Sequence, residues 1–142
     1  MLWSIKADAV KVVKLDPILK HICLNIIGLD DDYPTVRAMQ QNGILSLNII
    51  GEMTLEEIQD LMYTPAGAST PQPLMNAHRS KLRWIRDWNA YLMHETGGDP
   101  LTLDQWKDVH KDDYSRFITG MNTGLISMPV SHHLNCQPNQ LT

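Results

Sequence analysis

The sequence predicts an all-α fold: a small bundle of five to seven short helices with one long C-terminal amphipathic helix. Three observations carry this. Apolar residues recur at helical spacing along most of the chain. Capping residues stand at the expected starts, Asp16-Pro17, Thr54 with Glu57, and Thr102 with Gln105. Gly28, Asn42-Gly43 and Gly97-Gly98 stand at the expected stops. With 142 residues, 43% of them hydrophobic, the chain is long enough for one domain with a sizeable core.

Residues 1–15 read as an extension outside the domain, and "SIKADAVKVVKL" suits a helix or a strand equally. The domain is expected over 16–119. Its first helix, "DPILKHICLNIIG", is capped by Asp16 and started by Pro17, with Ile18, Ile22, Cys23, Ile26 and Ile27 on one face. "DDDYPTVRAMQQNG" is a second helix, whose aspartates suit the positive N-terminal end. "ILSLNIIGEM" is a short helix or turn. "TLEEIQDLMY" is a helix with Leu55, Ile58, Leu61 and Met62 on its buried side. Residues 64–73, with three prolines and a glycine, are expected to form a long mobile loop. The longest helix runs from about Asn76 to Thr96. Met75, His78, Leu82, Ile85, Trp88 or Asn89, and Leu92 form its apolar stripe, and Arg79, Arg83 and Arg86 form a basic outer one. Residues 102–119 supply one or two further helices, with Leu103, Trp106, Val109, Tyr114, Phe117 and Ile118 packing. Residues 120–142 read as a flexible tail.

The net charge of −4 and pI near 5.8 argue against a surface coated with basic residues for nucleic acid, although a local patch stays open. Two cysteines, Cys23 and Cys136, are no disulfide framework, which makes a reducing intracellular setting the default. Lys6, Asp8, Lys11 and Lys14 interrupt the N-terminus, so it lacks the apolar core of a signal peptide, and no apolar run reaches the length of a membrane span. A soluble protein is expected.

Few constellations suggest chemistry. His132, His133 and Cys136 have ligand-type side chains but not the four held ligands of a structural zinc site. His78, His94 and His110 are isolated, with no nucleophile in context. Asp30, Asp31 and Asp32 lack the glycine and closing glutamate of a calcium loop. No phosphate-binding glycine loop, nucleophile elbow or zinc-protease motif occurs. The expectation is a non-enzyme with no cofactor, no metal and no small-molecule substrate.

Charge is distributed unevenly. Residues 30–60 hold Asp30, Asp31, Asp32, Glu52, Glu56, Glu57 and Asp60 against Arg37 alone, whereas residues 76–86 hold Arg79, Lys81, Arg83 and Arg86 and no acid. Opposite patches on different parts of one fold allow head-to-tail association, a heterologous contact that builds open polymers.

The order of features resembles a sterile-alpha-motif (SAM) domain over about residues 20–92. Leu29, Tyr33, Asn42-Gly43-Ile44 and Met53-Thr54-Leu55-Glu56-Glu57-Ile58 stand where that family's first four short helices carry their motifs. Asn76-Ala77-His78-Arg79, Lys81, Leu82 and Ile85 match the opening of its long basic helix. The chain departs from the family in the longer 64–73 loop, in Leu61-Met62-Tyr63 at the usual leucine-glycine-isoleucine, and in the helical continuation to Phe117. The resemblance implies protein association or RNA binding, with Arg79, Lys81, Arg83 and Arg86 facing Glu52, Glu56, Glu57 and Asp60 of a neighbour. In overall layout, "LNIIG" to "DDYSRFI" is also similar to the N-terminal helical segment of Copia-type retroelement polyproteins, without a zinc knuckle. The leading expectation is therefore a non-enzymatic self-association module, or one that binds another helical domain. RNA binding through the basic helix 76–91 is the alternative, with Trp84, Trp88 and Tyr91 as candidates for base stacking. Convergence of Lys107 and Lys111 with the arginines would favour that alternative.

Overall fold

The computed structural model describes residues 14–126. The first thirteen residues, most of the expected tail, and the His132, His133 and Cys136 spacing lie outside the described part. Helices dominate it. Helix α1 (Pro17–Lys20) runs into a π-helical segment (His21–Ile27), followed by α2 (Pro34–Gln41), α3 (Leu47–Glu52) and α4 (Leu55–Gln59). An antiparallel ladder of β1 (Met62–Tyr63) and β2 (Gln72–Pro73) precedes α5 (Asn76–Glu95), α6 (Leu103–Lys107) and α7 (Lys111–Thr123). The all-α expectation holds at this level. The longest helix is α5, and two shorter helices follow it.

Local capping chemistry sets most of the helix starts. Asp16 Oδ1 accepts the Leu19 N–H at 2.8 Å, and Pro17 occupies a position whose missing N–H costs nothing. Thr54 and Glu57 form a reciprocal capping box at α4, at 3.0 and 2.8 Å. Thr102 and Gln105 do the same at α6. Gly28 ends the first helical stretch at φ +84°, a left-handed conformation that a Cβ would strain. The π-helical segment itself was not expected. Ile18, Ile22, Ile26 and Cys23, Ile27 recur every four residues, a spacing that suits the α turn and the wider i+5 turn alike.

Four local expectations are corrected. Asp30, Asp31 and Asp32 are not the first turn of α2. They form a turn closed by Tyr33 N–H to Asp30 O, and α2 starts at Pro34 because proline suits a first helical position. Leu55 and Met62 are exposed, whereas Ile58 and Leu61 are buried, because α4 is too short to turn all four inward. The 64–73 stretch is not wholly loop. Met62 pairs with Pro73 and Tyr63 with Gln72, so it closes as a hairpin. The Gln41 side chain donates to Thr64 O at 2.9 Å and accepts from Thr64 N–H at 2.7 Å, and Asn42 donates to Met62 O at 2.8 Å. Finally, α7 extends past Met121 to Thr123, and the chain then turns back to place Ile126 against Gly120. A Cβ at Gly120 would lie 2.5 Å from Ile126 Cδ1, so any larger residue there makes the Ile126 side chain shift.

The core lies along α5. Leu82, Ile85 and Trp88 share one buried cluster with Leu19, Ile22, Cys23 and Ile26 from the first helical stretch, Val36 and Met39 from α2, Ile50 from α3 and Ile58 from α4. Trp106 and Phe117 close the far side, and Leu15 is buried in the same cluster. Thr35 is buried and donates its hydroxyl to His78 O at 2.8 Å, which ties α2 to α5. Among the described residues no helix is long and apolar enough to cross a membrane.

Candidate interaction surface

Residues 76–95 hold neither glycine nor proline, so nothing interrupts the helix that carries the basic residues. Arg79, Arg83 and Arg86 are spaced i, i+4, i+7 and share one flank of α5. That flank meets α3 and α4.

Two of the three arginines are engaged within the chain. Arg79 donates from Nη1 to Gln59 O at 3.1 Å and from Nη2 to Asn76 Oδ1 at 2.5 Å. Arg86 donates from Nε to Met53 O at 2.9 Å and pairs with Asp87 Oδ1 at 3.0 Å. Gln59 is the last residue of α4, and Met53 caps the C-terminus of α3. Both guanidinium groups therefore satisfy carbonyls at the negative end of a short helix, where a cation is favoured. The expected basic outer face is corrected for these two residues, which hold α3 and α4 to α5. Burial pushes the Asp87 carboxyl above its ordinary range, and Arg86 and Arg83 pull it part of the way back.

Arg83 differs. It is exposed and makes no hydrogen bond or ion pair among the described residues, although its guanidinium lies 5.2 Å from the Trp84 ring centroid. Together with Arg79, Ser80 and Asn76 of α5 and Leu55, Ile58 and Gln59 of α4, it lines a cleft of about 250 Å³. Leu55, at the first position of α4, is 53% exposed, and Met75, just ahead of α5, is 67% exposed rather than part of the buried stripe.

Lys81 sits elsewhere. Its ammonium lies 5.6 Å from the Tyr33 ring centroid, and Tyr33 meets His78 edge to face at 4.9 Å. Burial, then the Lys81 charge, lowers the His78 pKa. The four basic residues of α5 thus divide between two surroundings.

The acidic residues stand on or next to the two short helices that pack against α5. Glu52 ends α3, Glu56, Glu57 and Asp60 belong to α4 or its cap, and all four are exposed. Glu57 is used in the capping box, and none of the four forms an ion pair among the described residues. The cleft itself is lined by Arg79 and Arg83 and by none of these four carboxylates.

The aromatic residues fill the other flank of α5. Trp88 is only 2% exposed, edge-on to Trp106 at 5.3 Å and tilted against Tyr114 at 5.1 Å, so it presents no face to a base. Trp84 and Tyr91 are half-buried against Phe117, at 6.1 and 5.3 Å. Lys107 ends α6 and Lys111 opens α7, on this aromatic side of α5, away from the arginine flank.

The remaining candidates have local surroundings of their own. His94 is exposed near the end of α5, and the His110 N–H donates to Asp113 Oδ2 at 2.8 Å at the start of α7. Burial raises the Cys23 thiol to about 12, so it packs as a neutral apolar group at neutral pH. Among the described residues no three His, Cys, Asp or Glu side chains gather as a metal site. Leu55, Gln59, Asn76 and Ser80 were not singled out from the sequence as functional. Leu55 had a signal, an apolar residue at the first position after a capping threonine, but periodicity assigned it to the core.

Comparison with protein-family models, with curated proteins and with solved structures gave no match. The likeness to sterile-alpha-motif domains therefore rests on the helical character of the chain and on the motifs quoted above.

Proposed function

We propose that this chain is a non-enzymatic protein-interaction module that associates through the α4–α5 face. The observation that carries the reading is the cleft between those helices, lined by exposed Leu55 and by Arg83, which makes no hydrogen bond or ion pair among the described residues. An exposed apolar side chain next to an arginine without an ion pair suits a protein-binding patch. The sterile-alpha-motif resemblance belongs to this proposal. It is supported by a run of short helices that ends in a long one carrying the basic residues.

Protein is favoured over RNA by the way the basic helix is used. Arg79 and Arg86 are held by carbonyls and Asp87, Trp88 is buried, and Lys107 and Lys111 lie on the other side of α5. Phosphate binding draws on several free cations along one track.

Sedimentation velocity over a concentration series, at low and high salt, tests the reading. Growth in mass that weakens with salt is expected. A chain that stays monomeric alone and shifts only with a short single-stranded or hairpin RNA would reject it.

A further inference from the structure

We infer that Asn42-Gly43 is a one-way deamidation latch on the β1–β2 hairpin. Opening of the hairpin frees the Asn42 amide for attack by the Gly43 nitrogen, and the aspartate or isoaspartate that results cannot hold the hairpin again.

The reactants are neighbours in the chain. Asparagine is thermally labile, most of all before glycine, which has no Cβ to hinder its own nitrogen. The 142 residues hold one Asn-Gly pair. The Gly43 nitrogen attacks Asn42 Cγ, the bond from Cγ to Nδ2 breaks, and ammonia leaves a cyclic imide behind. Water then opens the imide. Attack at Cγ gives aspartate, and attack at the main-chain carbonyl gives isoaspartate. Water is the only co-reactant, and nothing is oxidised or reduced.

The fold presents this pair and holds it back. Both residues are exposed in the turn after α2, Gly43 stands at φ +72°, and its N–H makes no hydrogen bond among the described residues. The Asn42 amide, however, is engaged twice. Its Nδ2 donates to Ala38 O and to Met62 O, each at 2.8 Å, which uses both amide hydrogens. The backbone opposes the reaction as well. Ring closure needs Cβ, Cα, the carbonyl carbon and the Gly43 nitrogen near one plane, which sets ψ of Asn42 about 120° from zero by the tetrahedral geometry of Cα. The observed ψ is 8°. The turn must therefore rearrange and the clamp on Met62 must open before the imide forms. Local opening of this kind costs less than global unfolding, and the strands here are two residues each.

The products cannot restore the clamp. A carboxylate at position 42 only accepts, so it would face two carbonyl oxygens with no hydrogen between them. Isoaspartate adds a methylene to the main chain between α2 and Ile44, which is buried and donates its N–H to Met39 O at 2.9 Å.

The test ages the full chain in mildly alkaline buffer and follows position 42 by peptide mass mapping. Gln41→Ala removes both bonds to Thr64 and leaves the reacting pair in place. Conversion should be at least about fivefold faster in this variant than in the wild type, and faster still in urea. In aged wild type and in N42D, amide exchange across the hairpin should rise about tenfold, while exchange at Leu82 and Ile85 stays as it was. Equal conversion rates in wild type, Q41A and the urea-unfolded chain would overturn the gating by the hairpin. Unchanged hairpin exchange in the aged chain, or exchange that rises equally at Leu82 and Ile85, would overturn the latch.

Discussion

The two flanks of α5 are built from different materials. Against α7 the helix presents Trp84, Trp88 and Tyr91, which interlock with Phe117 and Tyr114, and Trp88 meets Trp106 of α6. Against α3 and α4 it presents arginines that reach carbonyls, and an open cleft is left between. Burial of large rings is strong and insensitive to salt. Guanidinium-to-carbonyl bonds are weaker, but they tolerate a gap and leave polar groups at the surface. One helix thereby anchors the fold on one side and offers a surface for recognition on the other.

Substitutions on the two flanks should separate these roles. Trp88→Ala attacks the aromatic flank and should lower stability by about 3–5 kcal/mol. Urea unfolding checks it, and a loss below about 1 kcal/mol would mean that the aromatic cluster is not what holds α5.

Arg86→Gln attacks the polar flank. It removes the bond to Met53 O and leaves the Asp87 carboxylate without its partner, at a cost of about 1–3 kcal/mol near neutral pH. The Asp87 pKa is already raised by burial, so the folded state holds its proton to higher pH than the unfolded chain does. Stability linked to this group is thus full below the ordinary aspartate range and is lost as pH rises through the folded value. Without Arg86 that loss should grow, so the gap between variant and wild type should narrow on acidification. A gap independent of pH in matched urea melts would count against it.

Thr54→Ala breaks the capping box at α4 and should cost about 1 kcal/mol. Amide exchange should show the loss concentrated in α4, next to the cleft. Uniform loosening across α5 and α7 would show that the two flanks are not separable.

Leu55→Ser should have the smallest effect on the fold, within about 0.5 kcal/mol, because the side chain is already exposed. If association is measured beside stability, it should fall by about tenfold, the reverse of the pattern for Trp88. Equal loss in both measurements would place Leu55 in the core after all.

The helices were legible in the sequence because their signals are local. Asp16, the Thr54–Glu57 pair, the Thr102–Gln105 pair and Gly28 each act within a few residues of themselves, and the structure uses each as a cap or stop. The candidate site was half legible. Arg79, Arg83 and Arg86 could be placed on one stripe from spacing alone. That two of them would be occupied depends on Gln59 and Met53, 20 and 33 residues away, and no pattern records such a pairing. Leu55 was misassigned because periodicity describes a helix as if it were long, and α4 has only five residues. The hairpin was missed for a related reason, since two-residue strands leave no alternation to detect.

The clamp of Gln41 and Asn42 on that hairpin has a further consequence. Bonds at Met62 O in β1 and at the N–H and O of Thr64, the residue that follows it, occupy outward backbone groups as a neighbouring strand would. Across the ladder, β2 carries Pro73, which has no N–H to give. Both edges are therefore blunted against strand recruitment, one by two amide side chains of α2 and the other by a proline.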